Sequence, residues 1–250
     1  MLSDKVRSAL KKAVTVLKQS KYNSVLTGAG ISVESGIPPF RGEGGLWNKI
    51  EPKYFDIVFF NENPLESWRI IKDTFYSLFD KVEANLAHQA LAKMEANGLL
   101  KSVITQNIDN LHQLAGSKNI IEFHGNSKKL TCTKCHFECD FSSETFKEKL
   151  PICKECSGVL KPNFVFFGES ISKDTIESAF MEAEMSDVFI IIGTTGEVQP
   201  AATLPVVAKE KGATIIEINT HKSLYTKDIT DIFLNGRATL LMDELLNMLF

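Results

Sequence analysis

The stretch from Ser24 to Gly42, SVLTGAGISVESGIPPFRG, decides the fold of this chain. It begins as a short apolar strand, continues into a tight turn with glycine at positions 28 and 30, and then starts a brief helix that prolines close. Glycines let a ligand approach the main chain, and free amides at a helix start favour a phosphate. The spacing differs from the common Gly-x-Gly-x-x-Gly dinucleotide motif because the next glycine is Gly36. The stretch therefore predicts a phosphate-binding turn after a strand.

Short apolar segments alternate with helical patterns along the rest of the chain. We predict strands at 24–26, 103–105, 188–192 and 214–218, and helices at about 88–97, 204–211 and 243–250. This alternation predicts an α/β fold with a doubly wound, Rossmann-like parallel sheet. We expect a single domain over 1–250, with its core at about 1–42, 80–127 and 161–250, a helical insertion at about 43–79 and a cysteine-bearing insertion at about 128–160.

Polar residues follow four of the predicted strands. They are Thr27–Gly30, Gln106–Asp109, Gly193–Thr195 and Asn219–His221. Ligands of open parallel sheets bind beyond the carboxyl ends of the strands, so we expect these residues to line one crevice. For a dinucleotide lying across such a crevice, the glycine turn with Thr194 and Thr195 can bind the phosphates, and Asn219 can bind a ribose. Any single threonine or asparagine among them is better explained as a helix cap or a turn residue.

Four of the five cysteines form two close pairs. The pairs are Cys132 with Cys135 and Cys153 with Cys156, separated by residues 136–152. This spacing is typical of a zinc ribbon, in which four thiolates bind one Zn²⁺. A redox dithiol or simply buried thiols are the alternatives. Four thiolates leave no open coordination position, so the zinc would be structural. We expect Cys139 to be a bystander, although it could exchange with Cys135.

Four ordered motifs carry a resemblance to a known family. They are Gly28-Ala29-Gly30-Ile31-Ser32 with Phe40-Arg41, the run from Thr105 to His112, Phe123-His124-Gly125, and the paired cysteines. The chain resembles the sirtuins, NAD-dependent protein deacylases, of the bacterial or archaeal type. The similarity extends from about residue 15 to the C-terminus.

This resemblance implies NAD as cosubstrate, His124 as general base and Asn107 as a second catalytic residue. Asp109 would accept a hydrogen bond from the nicotinamide carboxamide, would cap a helix, or would do both. The acyl-lysine carbonyl oxygen would attack the ribose as nicotinamide departs, and water would finally release free lysine and O-acyl-ADP-ribose. The implied cofactor-binding residues are Gly28, Ala29, Gly30, Phe40, Arg41, Gln106, Asn107, Ile108, Asp109, Gly193, Thr194, Thr195 and Asn219.

The resemblance also implies a site for an acylated lysine in a protein substrate, whose peptide adds as a strand between two edges. Val165, Phe167 and Ile71 would line the tunnel for the lysine stem. The implied peptide-binding residues are Val165, Phe166, Phe167, Gly168, Glu197 and Val198.

Three departures from the family pattern affect specificity. Pro39 replaces an aspartate, which removes an acid from the cofactor loop, and Glu197 adds a negative charge beside the peptide, which favours basic flanking residues. The Tyr-x-x-Arg pair of members that remove succinyl or malonyl groups is missing, since Ile71 and Thr74 stand at about those places. Neutral acyl groups are therefore expected, unless Arg69 or Lys72 supplies a counter-ion.

Composition limits the partners and the location of the protein. The net charge of -3 and the pI near 6.0 give no basic field for nucleic acid. No apolar stretch approaches the roughly 20 residues that span a bilayer, and residues 1–19 have no apolar signal core. We expect a cytoplasmic monomer with no stable nucleic-acid binding and no membrane association.

Three other functions compete with deacylation. A protein ADP-ribosyltransferase or NAD-cleaving enzyme would use the same site. An NAD-sensing module without turnover would not need His124. A nucleic-acid-binding zinc ribbon would need a basic surface, but Glu138 and Asp140 offset the nearby lysines.

Overall fold

The structure is a computed structural model that describes residues 2–42, 44–79, 81–142, 145 and 149–250. Its larger sheet has six parallel strands in the order β3-β2-β1-β7-β8-β9. These are β1 (Asn23–Thr27), β2 (Ser102–Thr105), β3 (Ile120–Glu122), β7 (Val188–Ile192), β8 (Thr214–Asn219) and β9 (Ile232–Asn235). This is the doubly wound order, which reverses between β1 and β7. The predicted fold class is confirmed.

Helices cover both faces of this sheet. Val25 and Ile190 pack with α1 (Asp4–Gln19), α5 (Leu86–Ala96) and α10 (Ala238–Leu249). Their neighbours Leu26 and Ile191 pack on the other face with α7 (Lys173–Met185), α8 (Leu204–Glu210) and α9 (Tyr225–Asp228). Successive strand side chains point to opposite faces, so a strand covered on both sides is apolar throughout. This is why β1 and β7 are buried along their whole length.

Some helices and strands differ from the sequence-based expectation. Helix α10 begins at Ala238 and not at Asp243, because Glu34 accepts a hydrogen bond from the Thr239 N–H at 3.0 Å and caps it from a distant turn. Strand β9 and helix α7 were not predicted, and β9 forms by pairing with β8. No helix among the described residues is long and apolar enough to cross a membrane.

A smaller antiparallel sheet with the order β5-β4-β6 carries the cysteines. Its strands are β4 (Gly125–Cys132), β5 (Glu138–Asp140) and β6 (Leu160–Phe164). Against it lie α2 (Ile57–Glu62), α3 (Pro64–Ile71), a π-helix (Lys72–Tyr76) and α4 (Ser77–Phe79). The short helix α6 (Leu111–Ala115) follows β2.

The helical segment and the smaller sheet share one aromatic core. The Trp68 indole N–H donates to the Leu160 carbonyl at 2.8 Å, and the Tyr76 hydroxyl donates to the Ser127 carbonyl at 2.8 Å. The proposed domain division stays a prediction, and residues 43 and 80, two of its boundaries, lie outside the described residues.

Candidate functional site

A crevice of about 1270 Å³ opens beyond the carboxyl ends of the central strands. Gly28, Gln106, Gly193 and Asn219, which follow β1, β2, β7 and β8 or end them, all line it. The expected convergence of polar residues is therefore observed. The crevice lies where the strand order reverses. The connection after β1 and the connection after β7 leave the sheet in opposite directions, and the space between the two connections is the crevice.

The glycine turn after β1 lies in direct contact with the end of β7. The Gly30 N–H donates to the Gly193 carbonyl at 2.8 Å. A Cβ on Gly30 would lie 2.5 Å from the Gly193 Cα, and a Cβ on Gly28 would lie 2.8 Å from the Gly193 oxygen. Gly193 also has a φ of +66°. Only glycine fits these positions, and the main chain of the turn stays open to the crevice.

A buried polar network lies behind the turn. Asn107 donates through Nδ2 to the Gly28 carbonyl at 3.2 Å and to Ser32 Oγ at 3.1 Å. Ser32 donates to Asp109 Oδ2 at 2.7 Å. Ser32 belongs to the first sequence motif, but no local pattern indicated this contact.

Asp109 does not line the crevice, contrary to expectation. Its Oδ1 accepts from the Leu111 N–H at 3.0 Å and so caps α6, which was the structural alternative for this residue. Burial raises the pKa of Asp109, although hydrogen bonds from Leu111 and Ser32 oppose this. In this structure its carboxylate holds Ser32 and the start of α6.

Two buried histidines extend this network. His112 Nε2 lies 2.9 Å from Thr27 Oγ1, and His88 Nε2 lies 3.4 Å from Ser32 Oγ. The two rings pack edge to face with centroids 4.8 Å apart. Burial lowers the pKa of His88 to about 4 and that of His112 well below its usual value, so both are neutral at pH 7. His112 is only 1% exposed and does not line the crevice, so its hydrogen bond to Thr27 is part of the buried structure.

His124 lies on the crevice wall between β3 and β4. Its Nδ1 is 3.1 Å from the Gln106 carbonyl oxygen, which can only accept, so Nδ1 carries the proton of the neutral ring. Nε2 is then the basic nitrogen. Burial lowers the pKa of His124, and the bond to Gln106 partly offsets this effect. Gln106 itself donates to Thr194 Oγ1 at 3.1 Å.

The segment Val165–Gly168 lines the crevice on the side of the smaller sheet. The Val165 N–H donates to the His124 carbonyl at 2.9 Å. The Phe167 N–H donates to the Phe55 carbonyl at 2.8 Å, and the Phe167 carbonyl accepts from Ile57 at 3.0 Å. Phe167 is 44% exposed, whereas Phe166 is buried.

Ile71 does not line the crevice, so its expected place in the lysine tunnel is wrong. It is fully buried in the aromatic core, where α3 also buries Trp68. Phe75, from the following π-helix, lines the crevice in its place. Ordinary helical spacing does not place Phe75 correctly because the turn that follows Ile71 is a π-helix.

Glu197 also lies off the crevice wall, although Val198 lies on it. Its carboxylate is 3.8 Å from Arg41 Nε, and both side chains are about half exposed. The negative charge expected beside the peptide therefore has a partner within the chain. Phe40, the neighbour of Arg41, packs on Trp47 with ring centroids 5.3 Å apart.

Thr27 is fully buried and does not line the crevice, whereas the remaining predicted residues are on its wall. They are Ala29, Gly30, Phe40, Arg41, Asn107, Ile108, Thr194, Thr195, Phe166, Phe167 and Gly168. Arg237 also lines the crevice and was not predicted from the sequence, because its position depends on the early start of α10.

The four paired cysteines form one compact cluster. Cys132 and Cys156 have Sγ atoms 3.5 Å apart, and Cys135 and Cys153 have Sγ atoms 3.7 Å apart. All four Sγ atoms lie within 4.8 Å of one another. A tetrahedral zinc with Zn–S bonds of about 2.3 Å places its sulfurs about 3.8 Å apart, so the cluster fits Zn²⁺. Cys139 is outside this cluster, on β5 opposite Leu130.

Comparison with known proteins places the chain among close relatives. A model of the Sir2 family matches residues 28–200. The NAD-dependent protein deacetylase 1 of Pyrobaculum aerophilum is 42% identical over 251 residues, covering 100% of this chain and 98% of that protein. The NAD-dependent protein deacylase of Pyrococcus abyssi is 44% identical over 229 residues, covering 89% and 91%.

Solved structures agree with this relationship. A Sir2 homologue in complex with NAD has a TM-score of 0.89 at 41% identity, covering 96% of this chain and 93% of that one. A Sir2 complex with a p53 peptide and NAD+ has a TM-score of 0.88 at 34% identity, covering 95% and 97%.

Replacement of Cys153 by Ser should release zinc and lower the melting temperature. A structural zinc contributes folding energy directly, and three thiolates hold it poorly. Metal analysis of the purified protein is the measurement, and Cys139→Ser is the matched control that should keep its zinc. A wild-type zinc content far below one per chain would contradict the assignment, as would loss of zinc from Cys139→Ser.

Acid should destabilise the fold through His88. Its pKa falls from 6.5 to about 4 on folding, so between these values the unfolded chain binds a proton that the folded chain excludes. Stability is therefore highest above about pH 6.5 and is lost as the pH falls towards 4, by up to about 3 kcal/mol. Urea unfolding across this range should show a shallower pH dependence for His88→Gln than for wild type. The exposed His221, changed to Gln, should leave the dependence intact. Equal slopes for His88→Gln and wild type would refute this role of His88.

Proposed function

This chain belongs to the Sir2 family, and we propose that it is an NAD-dependent protein-lysine deacylase. It removes acetyl or other neutral acyl groups from lysine in proteins and yields nicotinamide, free lysine and O-acyl-ADP-ribose. The observation that carries the proposal is one crevice lined by the glycine turn, Asn107, His124 and the edge Val165–Gly168. The relatives' activities and the NAD and peptide complexes of similar structures support it.

The glycine turn forms the nucleotide side of the proposed site. Its open main chain, with Thr194 and Thr195, suits the diphosphate of NAD. Asn219 donates through Nδ2 to the Thr194 carbonyl at 2.8 Å, which orients its side chain for a ribose hydroxyl. Arg41 supplies positive charge for the phosphates, and Phe40 covers the reacting ribose against water. NAD itself supplies the ribose carbon that receives the acyl oxygen and the nicotinamide leaving group.

His124 is the proposed general base. Its Nε2 takes a proton from a ribose hydroxyl, while the Gln106 carbonyl holds the ring through Nδ1. Burial lowers its pKa, so the imidazole is neutral and able to accept a proton near pH 7. Asn107, held by Gly28 and Ser32, organises the nicotinamide end of the crevice.

The acyl-lysine peptide is proposed to add as a strand between Val165–Gly168 and the loop that carries Val198. The bond from the Val165 N–H to the His124 carbonyl ties this edge to the general base. This bond therefore fixes the distance between the general base and the edge that is proposed to bind the peptide. Because Glu197 pairs with Arg41, a basic residue next to the acyl-lysine would have to compete with Arg41 for the Glu197 carboxylate.

Zinc would be held by Cys132, Cys135, Cys153 and Cys156 and would stabilise the smaller sheet. The crevice has no cysteine among its described lining residues, so the metal is proposed to be structural. The domain division, monomeric state, cytoplasmic location and lack of nucleic-acid binding are proposed on sequence grounds, among them the net charge of -3.

Replacement of His124 by Ala should abolish deacylation and leave NAD binding largely intact. Loss of a general base commonly lowers turnover by about 100- to 10,000-fold. Turnover of an acetyl-lysine peptide and NAD binding are the two measurements. Turnover near the wild-type value at saturating substrate would contradict the assignment.

Mass spectrometry of the products separates the two enzymatic candidates. Free lysine with O-acyl-ADP-ribose supports deacylation. ADP-ribosylated protein or free ADP-ribose as the main product would instead support transfer to protein or NAD cleavage.

Acetyl- and butyryl-lysine peptides should be better substrates than the succinyl-lysine version of the same peptide. Neither Arg69 nor Lys72, the two counter-ions considered for a succinyl carboxylate, lines the crevice, so the carboxylate would lack both of these partners. We expect kcat/KM for succinyl-lysine to be lower by about tenfold or more. Succinyl turnover equal to or above acetyl turnover would show that another residue supplies the charge.

A further inference from the structure

Lys161 on β6 is a buried charge outside the crevice wall. Its side chain is 9% exposed. The ammonium donates to the carbonyls of Pro162 and Phe164, both at 2.8 Å, and pairs with Glu169 Oε2 at 3.0 Å. All three donors of the ammonium therefore have acceptors, and burial without them would be costly. The Phe166 ring lies 4.2 Å from Nζ and adds a cation–π contact.

Glu169 uses the same oxygen to close a turn. Its Oε2 accepts from the Phe166 N–H at 2.7 Å, and its own N–H donates to the Phe166 carbonyl at 3.0 Å. Gly168, within this turn, has a φ of +83°, which favours glycine. The Glu169 carboxylate thus holds the turn through the Phe166 N–H, and Lys161 fixes that carboxylate by its ion pair.

This turn forms part of the edge Val165–Gly168 on the crevice. The edge has three other main-chain attachments: the Val165 N–H donates to His124, the Phe167 N–H donates to Phe55, and the Phe167 carbonyl accepts from Ile57. None of them holds the Phe166 N–H, which donates to Glu169 Oε2. Loss of the ion pair would therefore loosen the turn that Glu169 closes, while the rest of the segment stays attached.

We propose that the ion pair of Lys161 and Glu169 positions the edge Val165–Gly168 for the acyl-lysine peptide. Lys161 acts through Glu169 and does not touch the substrate, so it is a positioning residue. This inference rests on the proposed deacylase function. A small displacement of a positioned substrate is enough to lower both binding and turnover.

Lys161→Met keeps the length of the side chain and removes its charge. We expect it to raise the Kd and KM for an acetyl-lysine peptide by about tenfold or more, with the KM for NAD unchanged. Lys161→Arg should restore most peptide binding because guanidinium can donate to the same acceptors. Fluorescence polarisation with a labelled acetyl-lysine peptide measures the Kd independently of turnover.

Lys209→Met is the matched control. Lys209 pairs with Asp231 at 2.6 Å, and Asp231 accepts from the Ile215 N–H at 2.8 Å, so a similar ion pair holds main chain far from the crevice. This variant should lower stability without changing the peptide Kd. If Lys161→Met fails to fold, Glu169→Gln serves instead, since it keeps the shape and removes the charge, and it should also weaken peptide binding.

Two results would overturn the inference alone, namely wild-type peptide affinity in Lys161→Met or in Glu169→Gln, and a parallel rise of the KM for peptide and for NAD. Failure of the wild-type protein to bind any acyl-lysine peptide would overturn the proposed function together with the inference. Wild-type peptide binding without turnover would contradict deacylation, and the peptide Kd of the variants would still decide the inference.

Discussion

The glycine turn after β1 and the end of β7 are in direct main-chain contact, and this contact places the crevice. Gly28 and Gly30 lie so near Gly193 that no Cβ fits between them. The ends of β1 and β7 therefore meet, and the crevice opens directly outside them. The neighbouring strands β2 and β8 then bring Gln106 and Asn219 to the same crevice. A larger residue at any of these glycines would push the glycine turn away from the end of β7.

A buried polar layer supports this contact from behind. Ser32 comes from the turn after β1, whereas Asn107 and Asp109 come from the loop after β2, yet Ser32 hydrogen-bonds to both of them, and His88 packs on His112 next to this group. Such a layer is rigid because every member restricts its neighbours. The layer also has an unfavourable feature. The Nδ1 atoms of both histidines are buried without a hydrogen-bond partner in the described structure. The layer requires uncharged imidazoles, which links the integrity of the site to pH.

The helical segment and the smaller sheet act as one support for the side of the crevice that is proposed to bind the peptide. Trp68 and Tyr76 join the helical segment to the smaller sheet, and the cysteine cluster closes the far end of that sheet. Strand β6 leads from the cysteines to Lys161 and then to the edge Val165–Gly168. The proposed zinc can thus affect substrate binding only through the order of this sheet.

The sequence alone was sufficient for the parallel sheet, the glycine turn, the crevice at the strand ends and the two cysteine pairs, because periodicity and short spacings encode them locally. Only the tertiary structure decided that Asp109 and Ile71 turn away from the crevice, that Glu197 pairs with Arg41, and that Glu34 caps α10. These outcomes depend on partners far away in the chain. The direction of a side chain follows from the packing and hydrogen bonds around it, and no local pattern contains that information.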